Sequence, residues 1–115
     1  MLFRSKQRIA LARAFAARPS VLLCDEVTSA LDVSVQATII ELIAELAARF
    51  GTAVIFVSHD LAVVRTIAGR ALVMRNGAVC EEGETERLFV SPTHPYTREL
   101  LAAIPELDRA AVPAA

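Results

Sequence analysis

Two acidic residues, Asp25 and Glu26, stand side by side after the apolar run Val21–Cys24, and Ser58-His59-Asp60 follows a second apolar run, Ala53–Val57. A carboxylate at the end of a buried strand is held rigidly, is partly desolvated and is aimed at the rim of the sheet. Asp25 in that position suits a Mg²⁺ ion, which takes one or two protein carboxylates and completes its shell with water and phosphate oxygens. Glu26 projects differently from its neighbour and suits orienting or deprotonating a water molecule. His59, at the end of the second run, suits donating a hydrogen bond to a terminal phosphate. Each group also has a plainer reading: the acidic pair caps a strand-to-loop turn, and His59 bonds to nearby backbone. Asp32 closes the run Ser29-Ala30-Leu31-Asp32 and suits the N-cap of a helix beginning near Ser34, a role compatible with a functional one.

Local patterns define the elements that must carry these groups. Lys6–Ala17 is rich in Ala, Arg and Leu, with Pro19 just beyond, and predicts a helix ending near Arg18. Val21–Cys24 and Ala53–Val57 are short uninterrupted apolar runs, as in buried parallel strands. Between them Val35, Ile39, Leu42, Ile43, Leu46 and Phe50 recur at helical spacing, and Gly51 follows as a stop. Leu61–Ile67 reads as a helix ended by Gly69. Leu72–Arg75 and Ala78–Glu81 flank Asn76-Gly77, a strong hairpin signal because both turn residues need positive φ. Short helices follow at Glu84–Phe89 and Tyr96–Ile104, joined by Ser91-Pro92 and His94-Pro95, and the Ala/Pro tail after Leu107 is expected to fray. Strand, helix, strand, helix, then hairpin argues for a parallel α/β sheet with an antiparallel addition. In open α/β sheets ligands bind at the carboxyl ends of the strands, where Asp25, Glu26 and His59 fall.

Bulk composition narrows the function classes. The chain has 115 residues, is 55% hydrophobic and carries a net charge of −1, which fits a globular unit of at most one domain and gives no reason to expect a polyanion partner. The basic residues Arg4, Lys6, Arg8, Arg13 and Arg18 cluster early, and the polar face of a helix accounts for them more simply than nucleic-acid contact. Cys24 and Cys80 each sit inside an apolar run and are expected to be buried thiols in a reducing compartment. No stretch approaches 18 uncharged apolar residues, so no direct membrane insertion is expected.

Together these segments resemble the ATP-binding subunits of ABC transporters, collinearly through most of the chain. QRIALARAFAARPSVLLCDEVTSALD is similar to the family's run from the signature helix through the Walker B strand to the D-loop, with Gln36 where the following helix usually carries a glutamine. VIFVSHDL resembles the switch-histidine segment, and VMRNGAVCEEG a hairpin of the same family. SPTHPYTRELLAAIP is similar to a segment that follows the core in the peptide- and nickel-importing branch. The resemblance implies an α/β fold: a partial P-loop NTPase-like parallel sheet flanked by helices, with a C-terminal β-hairpin and short helices. It implies residues 1–90 as the C-terminal part of a nucleotide-binding domain and 91–115 as a peptide-importer-type extension. It further implies Asp25 as the Mg²⁺ ligand, Glu26 and His59 as catalytic groups, and Ser29 and Asp32 as D-loop residues on the nucleotide and opposite-subunit side. ATP and Mg²⁺ are the implied cofactors. A second nucleotide-binding subunit and transmembrane permease subunits are the implied partners, with the protein cytoplasmic and peripheral on the inner face of the cell membrane.

Two departures qualify that inheritance. The register set by Gln7-Arg8 aligns the family's LSGGQ signature with Met1–Ser5, here MLFRS, so Phe3 and Arg4 carry side chains where glycine lets backbone approach a phosphate. No GxxxxGK[ST] phosphate loop occurs in the chain, and the Walker A strand is absent with it. Charge-assisted hydrogen bonds contribute roughly 1.5–3 kcal/mol each. Loss of about four costs on the order of 6 kcal/mol, or roughly 10⁴-fold in affinity. By the resemblance the missing strand lies beside Ala53–Val57, leaving that strand as an uncovered apolar edge. The expectation is an N-terminally truncated ATP-binding subunit, inactive alone, and marginally stable. The alternative is a non-catalytic module that docks on an intact nucleotide-binding subunit.

Overall fold

The structure, a computed structural model, describes residues 2–28 and 31–104, with side chains from Lys6 onward. It is α/β and divides into two compact units, residues 1–59 and 60–115. Among the described residues no helix is long and apolar enough to cross a membrane.

The first unit contains α1 (Leu2–Ala16), β1 (Val21–Asp25), α2 (Val33–Phe50) and β2 (Ala53–Val57). β1 and β2 pair in parallel with Val21 opposite Ala53 and Asp25 opposite Val57. The register continues one residue further, since Glu26 N–H donates to Val57 O at 2.9 Å. α2 starts at Asp32, whose carboxylate accepts from Val35 N–H at 3.0 Å, and stops at Gly51, which takes the left-handed conformation (φ 64). That stop is the reason for a glycine at this position, because a Cβ there would be strained. The next residue, Thr52, is buried and its hydroxyl donates to Pro19 O at 3.0 Å, tying the entrance of β2 to the entrance of β1. The core of this unit is Leu11, Phe15, Cys24, Ile39, Ile40 and Ile43.

Both strands are covered on one face only. Cys24 is 2% exposed, whereas Leu23 is 64% and its direct partner Ile55 is 55% exposed, and Val21 and Val57 share their face. The uninterrupted apolar runs predict strands buried on both sides; the structure corrects this to one buried face. Two strands with helices on a single side leave the alternate residues without cover. Among the described strands β2 pairs only with β1.

The second unit contains α3 (Leu61–Ile67), β3 (Arg70–Arg75), β4 (Ala78–Glu84), α4 (Thr85–Val90) and α5 (Pro95–Ala102). Asp60 caps α3 by accepting from Ala62 and Val63 N–H. β3 and β4 form the antiparallel hairpin, longer than the apolar runs alone predict, with Asn76 (φ 52) and Gly77 (φ 78) at its turn and an irregularity between Val73 and Met74. Glu81, in β4, is buried and binds the segment leading to α5: it accepts from Thr93 N–H, Thr93 Oγ1 and His94 N–H at 2.9–3.0 Å. Arg65 makes a two-pronged contact to Glu86 at 2.8 and 2.9 Å and lies over the Phe89 ring. Cys24 is buried as the sequence predicts, and Cys80 is only partly covered; both are free thiols.

Candidate functional site

The rim at the carboxyl ends of β1 and β2 gathers three of the expected groups. Asp25 is the last residue of β1 and is exposed. Glu26 follows with φ 55, a left-handed backbone that few non-glycine residues adopt. Reversal of the backbone here separates the two side chains: Asp25 keeps the strand's alternation, while Glu26 turns towards β2. Glu26 Oε1 and His59 Nδ1 lie 3.0 Å apart, across 33 positions of sequence. Both are open to solvent, at 38% and 80% side-chain exposure. His59 thus meets a carboxylate carried by the neighbouring strand.

The chemistry of this pair follows from its geometry. An ionised carboxylate only accepts, so the contact fixes the proton on Nδ1 of His59. A hydrogen bond from Nε2 to an anionic oxygen then requires the doubly protonated ring. Glu26 is held so that its carboxylate is oriented by the imidazole, as a base that positions a water must be.

The loop after Glu26 is anchored by neutral groups. Gln7 Nε2 donates to Val27 O at 2.8 Å, and Gln36 Nε2 donates to the hydroxyl of buried Thr28 at 3.3 Å. The two glutamines thereby hold consecutive residues at the start of the loop that follows β1. Asp32 is the N-cap of α2, as its position predicts, and Val35 N–H and the Ser34 hydroxyl hold its carboxyl below the usual range. Ser29 lies outside the described residues, as do the side chains of Phe3 and Arg4 and the tail beyond Ile104.

A Mg²⁺ ion fits this rim in part. Asp25 offers an exposed carboxylate next to Glu26, and Mg²⁺ needs only one or two such ligands when phosphate and water supply the rest. Among the described residues no group of three or more His, Cys, Asp or Glu side chains forms a cage, so a metal held here would depend on those other ligands.

Sequence reasoning missed Glu81. It sits in an apolar-looking strand with a second glutamate beside it, and only strand alternation distinguishes the inward Glu81 from the outward Glu82. The backbone N–H groups of His94 and Thr93 hold its carboxyl far down, to about 2.

Comparison with known proteins agrees with this arrangement of elements. Residues 80–113 match the family described as the oligopeptide/dipeptide transporter, C-terminal region. The chain is 51% identical over 105 residues to the oligopeptide transport ATP-binding protein OppD of Mycobacterium bovis, covering 91% of this chain and 17% of that protein. It is 50% identical over 102 residues to the glutathione import ATP-binding protein GsiA of Salmonella choleraesuis, covering 89% and 16%. With the oligopeptide transport ATP-binding protein OppF of Mycoplasma pneumoniae the identity is 43% over 104 residues, covering 90% and 12%. The chain therefore spans less than a fifth of the length of these curated relatives. Motif order, fold and these similarities together show that the chain resembles a part of the ATP-binding subunits of ABC transporters, in their oligopeptide/dipeptide branch.

Proposed function

We propose that the chain contributes the acid–histidine half of an ATP-hydrolysing centre in a peptide-type ABC importer. Asp25 holds Mg²⁺, Glu26 orients and deprotonates the attacking water, and His59, protonated, donates from Nε2 to the terminal phosphate. Ser29 and Asp32 serve the D-loop contact with a second nucleotide-binding subunit. Residues 1–90 belong to the nucleotide-binding domain and 91–115 to the branch-specific extension. The assembly sits on the cytoplasmic face of the membrane against permease subunits. The observation that carries this reading is the 3.0 Å contact between Glu26 and His59 at the ends of paired parallel strands, with Asp25 beside it. Bound Mg²⁺ would supply the positive charge that lets carboxylates and a triphosphate share the rim.

The chain alone lacks a phosphate-binding loop, so its carboxylates face a polyanion without a cradle and it is silent as an ATPase. The test is co-expression with the GxxxxGK[ST]-bearing part of a peptide-importer ATP-binding protein. The expected result is no turnover by the chain alone and turnover by the pair. Glu26→Gln abolishes that turnover, whereas Glu82→Gln, exposed on the hairpin, leaves it intact. Turnover by the unaided chain removes the claim of dependence, and a complemented complex indifferent to Glu26→Gln removes the assignment of the base.

A further inference from the structure

α1 and α2 do not close completely against each other. They leave an open groove of about 530 Å³ along their length. Its floor includes Leu11 and Phe15, both buried, and its far wall is formed by Leu42 and Leu46 of α2, partly covered. The ring of Phe15 tilts against Phe50 at 6.0 Å and closes one end. The rim is cationic: Arg8 and Arg18 both line the groove and both are exposed. No acidic side chain is among the groove's described lining residues, although α2 carries Glu41 and Glu45 on its exposed positions.

The groove's shape favours a helix as occupant. Its floor and far wall are rows of residues four apart, Leu11 with Phe15 and Leu42 with Leu46, and such rows define grooves into which the side-chain ridge of another helix fits. Arg8 lies within α1, and Arg18, with a left-handed backbone (φ 50), lies two residues past its end, so both line the groove from the α1 side. On a helix lying alongside, acidic residues flanking the apolar face would meet these two cations. An apolar seam with an acid at each end is therefore the complement of this surface.

We propose that this groove docks an amphipathic helix of a partner protein, anchored by large apolar side chains at i, i+4 and i+7 and flanked by acidic residues that meet Arg8 and Arg18. None of the residues assigned to hydrolysis lines the groove. Apolar anchors supply the affinity, and the arginines select against basic helices and set the register.

The probe is a fluorescein-labelled peptide of about 18 residues with Leu at i, i+4, i+7 and i+11 and Glu beside the first and last. Added to the full chain, it should give saturable anisotropy. The double variant Arg8→Glu/Arg18→Glu should weaken binding at least tenfold, and a peptide with Lys for Glu should bind that variant better than the unaltered chain. Ala16→Trp, which places a ring in the groove from an exposed helical position, should weaken both peptides while the far-ultraviolet circular dichroism stays the same. The proposal is overturned if the Glu peptide shows no saturable binding, or binds the unaltered chain and the double variant equally. It is also overturned if the double variant instead dissolves a self-associated species in sedimentation velocity, which makes a second copy the occupant. Flotation with phosphatidylserine vesicles that is lost in the double variant, without peptide binding, makes it a membrane contact.

Discussion

The open face of the β1–β2 sheet sets how this chain behaves in solution. Leu23 and Ile55 are register partners and are 64% and 55% exposed, so Leu23 is about one-third covered and Ile55 about half. Full burial of such a side chain contributes about 1.5–3 kcal/mol. The cover present on the two therefore contributes about 1–2 kcal/mol together, and replacement of both by threonine, which retains strand propensity, should cost less than that. Ile43, fully buried on α2, is the contrast: truncation to alanine should cost about 2–5 kcal/mol. Exposed apolar strands with an unpaired edge also recruit other chains. The unaltered chain should self-associate and melt broadly. Leu23→Thr/Ile55→Thr should shift it towards monomer in light scattering with a small change in urea midpoint, while Ile43→Ala should lower that midpoint far more. A sharp, concentration-independent melt of a monomeric unaltered chain would refute the reasoning. So would a double variant as damaging as Ile43→Ala, because the face would then be covered.

Three further outcomes follow from local geometry. Glu81 is held far below its ordinary range by Thr93 and His94 N–H groups, so its contribution is present above the unfolded carboxyl range and is lost as pH falls towards about 2. Amide exchange at Thr93 and His94 should be protected between pH 5 and 7 and lose that protection near pH 2–3, and Glu81→Ala, which removes both acceptor oxygens, should abolish it at every pH. Gly51→Ala should cost about 1–2 kcal/mol in urea unfolding, since its left-handed backbone penalises a Cβ even though the space around it is open. Thr52→Val should cost about 1 kcal/mol by leaving Pro19 O without its hydroxyl donor, with the loss read as earlier unfolding of the first unit.

Element type was legible because each segment's local chemistry agrees with its place in the fold. The Gly51 stop, the Asp32 cap and the Asn76-Gly77 turn are backbone requirements written in single residues, and all three are met. Helix ends drifted where no such residue stands: α1 begins at Leu2 rather than Lys6, because nothing in FRSK stops a helix. Exposure was misread for β1 and β2 because apolar composition reports what a strand can bury, and what it does bury depends on neighbours. At the site, spacing placed Asp25 and His59 at strand ends, but no periodicity predicts the reversal at Glu26. That reversal is what joins residues 26 and 59.

The backbone of Glu26 bears on function through its energy. A non-glycine residue at φ 55 costs of order 1–2 kcal/mol, and it persists only where surrounding contacts over-determine it. Here those contacts are visible: Glu26 N–H is bound to Val57 O, Val27 O to Gln7, Thr28 to Gln36, and the carboxylate to His59. A turn that only needed to leave the strand would be met at lower energy by glycine or asparagine. A glutamate in this conformation gains something those residues cannot supply, a carboxylate aimed across the sheet at an imidazole. Strain is thus spent on orienting an acid, which is what the proposed role of Glu26 as a water-activating base requires.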